Sequence, residues 1–122
     1  MTQSLEDYLE MVSFLSDEGG VRVTDIASRL TVSKPSVFSA LKVLEDQGLL
    51  KHERYGTVFL TQAGKEKAAE IRDRHFFLTD FLRDVVGVTP ETAEKDACKM
   101  EHLLSEETVL KLKLLAKKIK SQ

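Results

Sequence analysis

Residues 23–50 read VTDIASRLTVSKPSVFSALKVLEDQGLL, and the punctuation within them decides the fold. Ile26, Ala27 and Leu30 recur at helical spacing, so residues 24–30 form a short helix with those side chains turned inward. Ser33 then offers a hydroxyl N-cap, and Pro35 falls in the first helical turn, where its missing N–H costs little. Val37, Leu41, Val43 and Leu44 carry a longer second helix until Gly48 stops it. Two helices joined by a tight turn, the second opened by a polar cap, are the makings of a helix-turn-helix.

The segments on either side extend this reading. Residues 49–53 and 57–60 are short strand-like runs around Tyr55 and Gly56, a hairpin that would serve as a wing. Upstream, Leu5, Leu9, Val12, Phe14 and Leu15 predict a first amphipathic helix over residues 4–17, ended by Gly19 and Gly20. Downstream, Thr61 can cap a long helix running through Ala63, Ala68 and Ile71 to Leu82. Residues 85–90 are a break, residues 92–104 a further helix, and Ser105, Glu106, Glu107 and Thr108 open a last helix ending near Lys120. The expected fold is mainly α: a winged helix-turn-helix domain over residues 1–73, then an α-helical domain over residues 74–122.

Bulk properties narrow the classes of function. No apolar run is long enough to span a bilayer and the N-terminus lacks a secretory pattern, so a membrane or secreted protein is not expected. A lone cysteine forms no internal disulfide, which fits a reducing cytoplasm. The net charge is −2, but it is unevenly spread. Residues 1–19 carry five acidic side chains and no Lys or Arg, whereas residues 20–74 carry ten Lys or Arg against seven Asp or Glu, a balance of +3. A mildly basic middle is compatible with DNA contact. In a helix-turn-helix the start of the second helix enters the major groove, so Ser33, Lys34, Pro35, Ser36 and Ser39 would face the bases. Lys42, Lys51, Arg54 and Arg29 are candidates for phosphate contacts, which position the protein without reading sequence. The plainer alternative is that these are solvated side chains on an ordinary helical protein.

A second chemistry lies near the chain's end. Cys98, Glu101 and His102 stand at i, i+3 and i+4, so one helical face carries a thiol, a carboxylate and an imidazole. Asp7 and Glu10 repeat the i, i+3 spacing on the first helix, and His75 is a further neutral donor. Gathered without a cation such groups resist desolvation, and a divalent transition metal reverses that sign. Each also has a plainer reading: Asp7 and Glu10 as first-turn helix charges, Cys98 as a small buried hydrophobe, the histidines as surface residues.

SLEDYLE (4–10), the helix-turn-helix stretch, VFLTQAGKEKA (58–68), RHFFLTDFL (74–82) and DACKMEHLLS (96–105) together resemble the metal-dependent repressors of the diphtheria toxin repressor family, particularly its shorter manganese-regulator branch. The resemblance spans nearly the whole chain and is carried most specifically by its two ends. It implies a cytoplasmic homodimer that binds a palindromic double-stranded operator when loaded with Fe²⁺ or Mn²⁺, with Co²⁺, Ni²⁺ or Zn²⁺ as substitutes in vitro, and represses metal-uptake genes. It implies one metal on Asp7, Cys98, Glu101 and His102, and a second site using Glu10 and His75 and sharing Glu101. Asp7 and Glu10 are manganese-type residues; Cys98 is the iron-type residue; Thr79 and Glu94 replace a glutamate and a histidine of the iron-type ancillary site. A thiolate among oxygen ligands suits Fe²⁺, Co²⁺ or Zn²⁺ better than Mn²⁺. The alternatives are a metal-independent winged-helix regulator and, further off, a small metal or thiol hydrolase; no substrate-pocket motif supports an enzyme.

Overall fold

The computed structural model describes residues 3–16, 20–53 and 56–121. The chain divides into two compact units, residues 1–70 and 71–122.

In the first unit α1 (Gln3–Leu15) buries Leu9 and Val12 fully. Phe14, expected on the same inward face, is instead 73% exposed, because the apolar stripe of α1 is narrower than the sequence pattern suggested. The expected end of α1 at Gly19 lies outside the described residues. A two-residue strand β1 (Val21–Arg22) precedes α2 (Val23–Leu30), whose Ile26 is fully buried. The turn after α2 is made by Thr31 in the left-handed region, at φ 55° and ψ 50°. A β-branched residue there costs roughly 1–2 kcal/mol relative to a right-handed conformation. Helix α3 (Lys34–Asp46) starts as its sequence dictates: Ser33 Oγ accepts from the Ser36 N–H at 3.3 Å, with Pro35 in the first turn. Val37, Leu41 and Leu44 face inward, whereas Val43 is exposed.

Strands β2 (Leu50–Glu53) and β3 (Thr57–Leu60) pair antiparallel from Leu50 opposite Leu60 to Glu53 opposite Thr57. Strand β1 adds to the other edge of β3, Val21 opposite Val58, giving the order β1-β3-β2. Of the expected hairpin turn, Tyr55 lies outside the described residues. Full burial of Leu9, Ile26, Leu41 and Leu44 on the helices and of Val58 on β3 makes these helices and the small sheet one core, each side chain worth about 1.5–3 kcal/mol. Helix α4 (Gln62–Phe81) is fastened to the start of the wing. Thr61 Oγ1 donates to the Gly48 carbonyl at 2.6 Å and accepts from the Gly64 N–H at 3.0 Å. A Cβ on Gly64 would stand 2.0 Å from the Leu49 carbonyl oxygen, so only glycine fits.

The second unit contains the later residues of α4, with Ile71 and Leu78 fully buried. The helix widens into a π-helical turn (Leu82–Val86), closed by Gly87 at φ 90°, whose N–H donates to the Leu82 carbonyl at 2.9 Å. Arg83 donates to Asp80 and Asp84 there, and its guanidinium holds the Asp84 carboxyl below the usual range. Helix α5 (Pro90–Leu103) begins earlier than expected, because Thr89 accepts from the Thr92 N–H and Pro90 occupies the first position. Ser105 caps α6 (Glu106–Lys120) by accepting from the Thr108 N–H at 3.1 Å. Glu106 and Glu107 lie at its positive end and Lys117, Lys118 and Lys120 at its negative end. Among the described residues no helix is long and apolar enough to cross a membrane.

Candidate metal centre and nucleic-acid interface

Helix α5 carries Glu94, Cys98 and Glu101 at i, i+4 and i+7, one stripe along its face, and α4 brings His75 to that stripe. Ligand atoms of His75, Cys98 and Glu101 all lie within 4.8 Å of one another. Glu101 is 2% exposed and uses both oxygens: Oε2 is 2.6 Å from His75 Nδ1 and Oε1 is 3.1 Å from His102 Nε2. One buried carboxylate thus stands against two imidazoles. Arg74 Nη1 donates to the Glu101 carbonyl at 2.8 Å and ties α4 to this turn of α5. On its other side His75 Nε2 is 3.0 Å from Glu94 Oε1. Cys98 is exposed, not a buried hydrophobe, so its thiol is accessible as the third donor.

Nitrogen, sulfur and oxygen donors this close fit a first-row transition ion and suit Mg²⁺ or Ca²⁺ poorly, since those ions take oxygen shells. Asp7 and Glu10 belong to the first unit, one turn apart on α1. They line a groove of about 260 Å³ with Met11, Phe14 and Leu30.

The nucleic-acid face is built on α3 in the first unit. Ser33, Lys34, Pro35, Ser36, Ser39 and Lys42 are all exposed, opposite the buried Val37, Leu41 and Leu44. Lys51 is exposed on β2, and so is Arg29 on α2; Arg54 lies outside the described residues. Two further features had no sequence signal. The Phe38 ring is 46% exposed and stacks on His52 of the wing, 5.8 Å between centroids. The His52 N–H also donates to Glu45 Oε2 at 2.9 Å, so the wing is pinned to α3 at two points. Arg22, Thr24, Lys34, Phe38 and Thr57 line a groove of about 540 Å³ beside the start of α3. Arg22 has no sequence signal because β1 is too short to leave a pattern, and Thr24 lies at the start of α2, whose helical spacing gives it no role at a groove.

An exposed helix start with its wing in one unit, and a nitrogen-sulfur-oxygen donor cluster in the other, define a metal-dependent DNA-binding regulator. Comparison with known proteins agrees. Residues 1–58 match the iron-dependent repressor N-terminal DNA-binding domain, and residues 61–122 the iron-dependent repressor metal-binding and dimerisation domain. The chain belongs to the iron-dependent repressor family, as the resemblance of its motifs implied. It is 44% identical over 115 residues to the transcriptional regulator MntR of Escherichia coli O157:H7, covering 93% of this chain and 74% of that protein. It is 35% identical over 124 residues to an uncharacterised HTH-type transcriptional regulator of Methanocaldococcus jannaschii, covering 100% and 99%. The structure of the manganese-activated repressor ScaR with bound Zn²⁺ superposes with a TM-score of 0.80 at 28% identity, covering 93% of this chain and 53% of that one. The protein is a metal-dependent transcriptional repressor, and its family is one of regulators, not enzymes.

Proposed function

We propose that this chain is a cytoplasmic homodimeric repressor of metal-uptake genes that binds a palindromic operator in response to Fe²⁺ or Mn²⁺. The observation that carries the metal half is the convergence of His75, Cys98 and Glu101 within 4.8 Å, with His102 against the same carboxylate. His75, Cys98, Glu101 and His102, with Asp7 and Glu10 from α1, would hold the metal; Co²⁺, Ni²⁺ and Zn²⁺ would substitute in vitro. A bound divalent cation supplies the positive charge that lets these carboxylates and the thiolate share one place. The chain's own residues do the rest. Glu101 offers one oxygen to each side, which suits a carboxylate shared between two adjacent ions. Cys98 biases the preference toward Fe²⁺, Co²⁺ or Zn²⁺. Protonation competes for every one of these donors, so metal affinity falls in acid.

Residues 1–73 are the proposed reading module. Ser33, Lys34, Pro35, Ser36 and Ser39 meet base edges, while Lys42, Lys51 and Arg54 hold phosphates. Residues 74–122 are the proposed metal-binding and dimerisation module. Leu110, Leu114, Leu115 and Ile119 are exposed along α6, an apolar stripe that a second copy of the chain would cover. A dimer reads well only when its two α3 helices match major-groove faces about 34 Å, or a multiple of that, apart. Ligands on α1 and on α4 and α5 narrow the range of arrangements toward that spacing, a population shift driven by differential metal affinity. The test is selection from a pool of random duplexes in EDTA, then with Mn²⁺, Fe²⁺, Co²⁺ or Zn²⁺ added singly. Enrichment of a palindrome only with metal is expected. Equal, tight binding in EDTA would leave a metal-independent winged-helix regulator.

A further inference from the structure

We infer that Glu94 is a positioning residue for the metal centre: it holds His75 in the one tautomer that can ligate. The inference rests on the metal site proposed above. The two nitrogens of an imidazole point away from each other, and the structure gives each a different carboxylate. Nδ1 faces Glu101 Oε2 at 2.6 Å, whereas Nε2 meets Glu94 Oε1 at 3.0 Å. His75 is therefore turned so that Nδ1 is the nitrogen on the donor side. A neutral histidine carries one proton, and a metal on Nδ1 requires it on Nε2. An anionic acceptor on Nε2 stabilises that form, fixes the ring angle and makes Nδ1 a stronger donor.

The same geometry argues against Glu94 as a ligand in its own right. Its carboxylate lies beyond the ring, at the nitrogen turned away from Glu101, and its side chain is 62% exposed while that of His75 is 16% exposed. The resemblance noted Glu94 where iron-type relatives carry a histidine of an ancillary site; here that position would serve the main cluster from outside. His75 is further held by its backbone, since the Thr79 hydroxyl donates to the His75 carbonyl at 2.9 Å. Sequence alone could not show this pairing, because residues 75 and 94 sit on different helices and meet only through the packing of α5 on α4.

The experiment is anaerobic titration of the full chain with Co²⁺ alone, against a competing chelator, reading both affinity and the thiolate-to-cobalt absorption. Three proteins are compared: wild type, Glu94→Ala and Glu94→Gln. Outer carboxylates of this kind contribute about 10–100-fold to metal affinity. Glu94→Ala should bind Co²⁺ more weakly by that order, with the intensity of its saturated d–d bands unchanged because the ligands are the same. Glu94→Gln keeps an oxygen that accepts from Nε2–H, so it should recover much of the loss. The inference is overturned if Glu94→Ala binds as wild type does. It is equally overturned if Gln is as damaging as Ala and the d–d bands change, since that marks a lost ligand. Wild type that takes up no Co²⁺ would overturn the metal site itself, and this inference with it.

Discussion

Substituting Glu101→Gln separates what the buried carboxylate does for the fold from what it does for the metal. Glu101 is 2% exposed, with oxygens 2.6 Å from His75 and 3.1 Å from His102. Removing one member of a buried ion pair usually strands a charge at a cost of about 3–5 kcal/mol. Here the partners are two imidazoles rather than a fixed cation such as Arg, and a Gln amide can still hydrogen-bond to them. Gln has the same shape, and the metal-free protein should keep its stability to within about 1 kcal/mol. The metal-loaded protein should not. At a metal concentration 100 times the dissociation constant, binding stabilises the native state by about 2.7 kcal/mol. Loss of a ligand exceeds the roughly 100-fold upper range for outer partners. After a 100-fold loss the same metal concentration stabilises by only about 0.4 kcal/mol. The missing 2.3 kcal/mol or so corresponds to roughly 9 °C in Tm for a chain of this size. The assay is thermal unfolding by circular dichroism of both proteins, in EDTA and in Co²⁺. Equal metal-induced shifts in wild type and Glu101→Gln would refute the reasoning.

Other substitutions test the scaffold and the reading face. Gly64→Ala forces a Cβ to within 2.0 Å of the Leu49 carbonyl oxygen, so denaturant unfolding should show a loss at or above the roughly 1–3 kcal/mol typical of overpacking. Thr31→Gly relieves a left-handed β-branched residue and should raise stability by up to about 1 kcal/mol, the unfolded-state entropy of glycine offsetting part of the gain. Lys42→Ala should weaken DNA binding equally for all sequences and flatten the log-log salt slope by about 0.9, one phosphate contact. An unchanged slope would remove Lys42 from the interface.

Much of the fold was legible because it is written in local chemistry. Ser33 with Pro35, Thr61 and Ser105 are hydroxyl caps, and the structure uses each as one. The same signature at Thr89 and Pro90 opens α5, ahead of residue 92, where the sequence pattern alone starts the helix. Strand β1 was not legible: two residues carry no period, and its existence depends on β3 lying alongside. Nor could local pattern show that α4 ends in a π-helical turn, or that Thr31 adopts a left-handed conformation where glycine is the usual signal. At the candidate site the Cys98, Glu101 and His102 face follows from helical spacing alone. The seating of His75 against Glu101, and of Phe38 against His52, comes from packing between elements distant in sequence.

The central claim is that metal and DNA binding are coupled, and coupling is reciprocal. The direct measurement is the affinity for one selected duplex, by fluorescence anisotropy in EDTA and at saturating Co²⁺, alongside Co²⁺ affinity with and without that duplex. The account requires the two ratios to agree, at a factor of about 5–150. DNA affinity that is the same in EDTA and in saturating metal would contradict it.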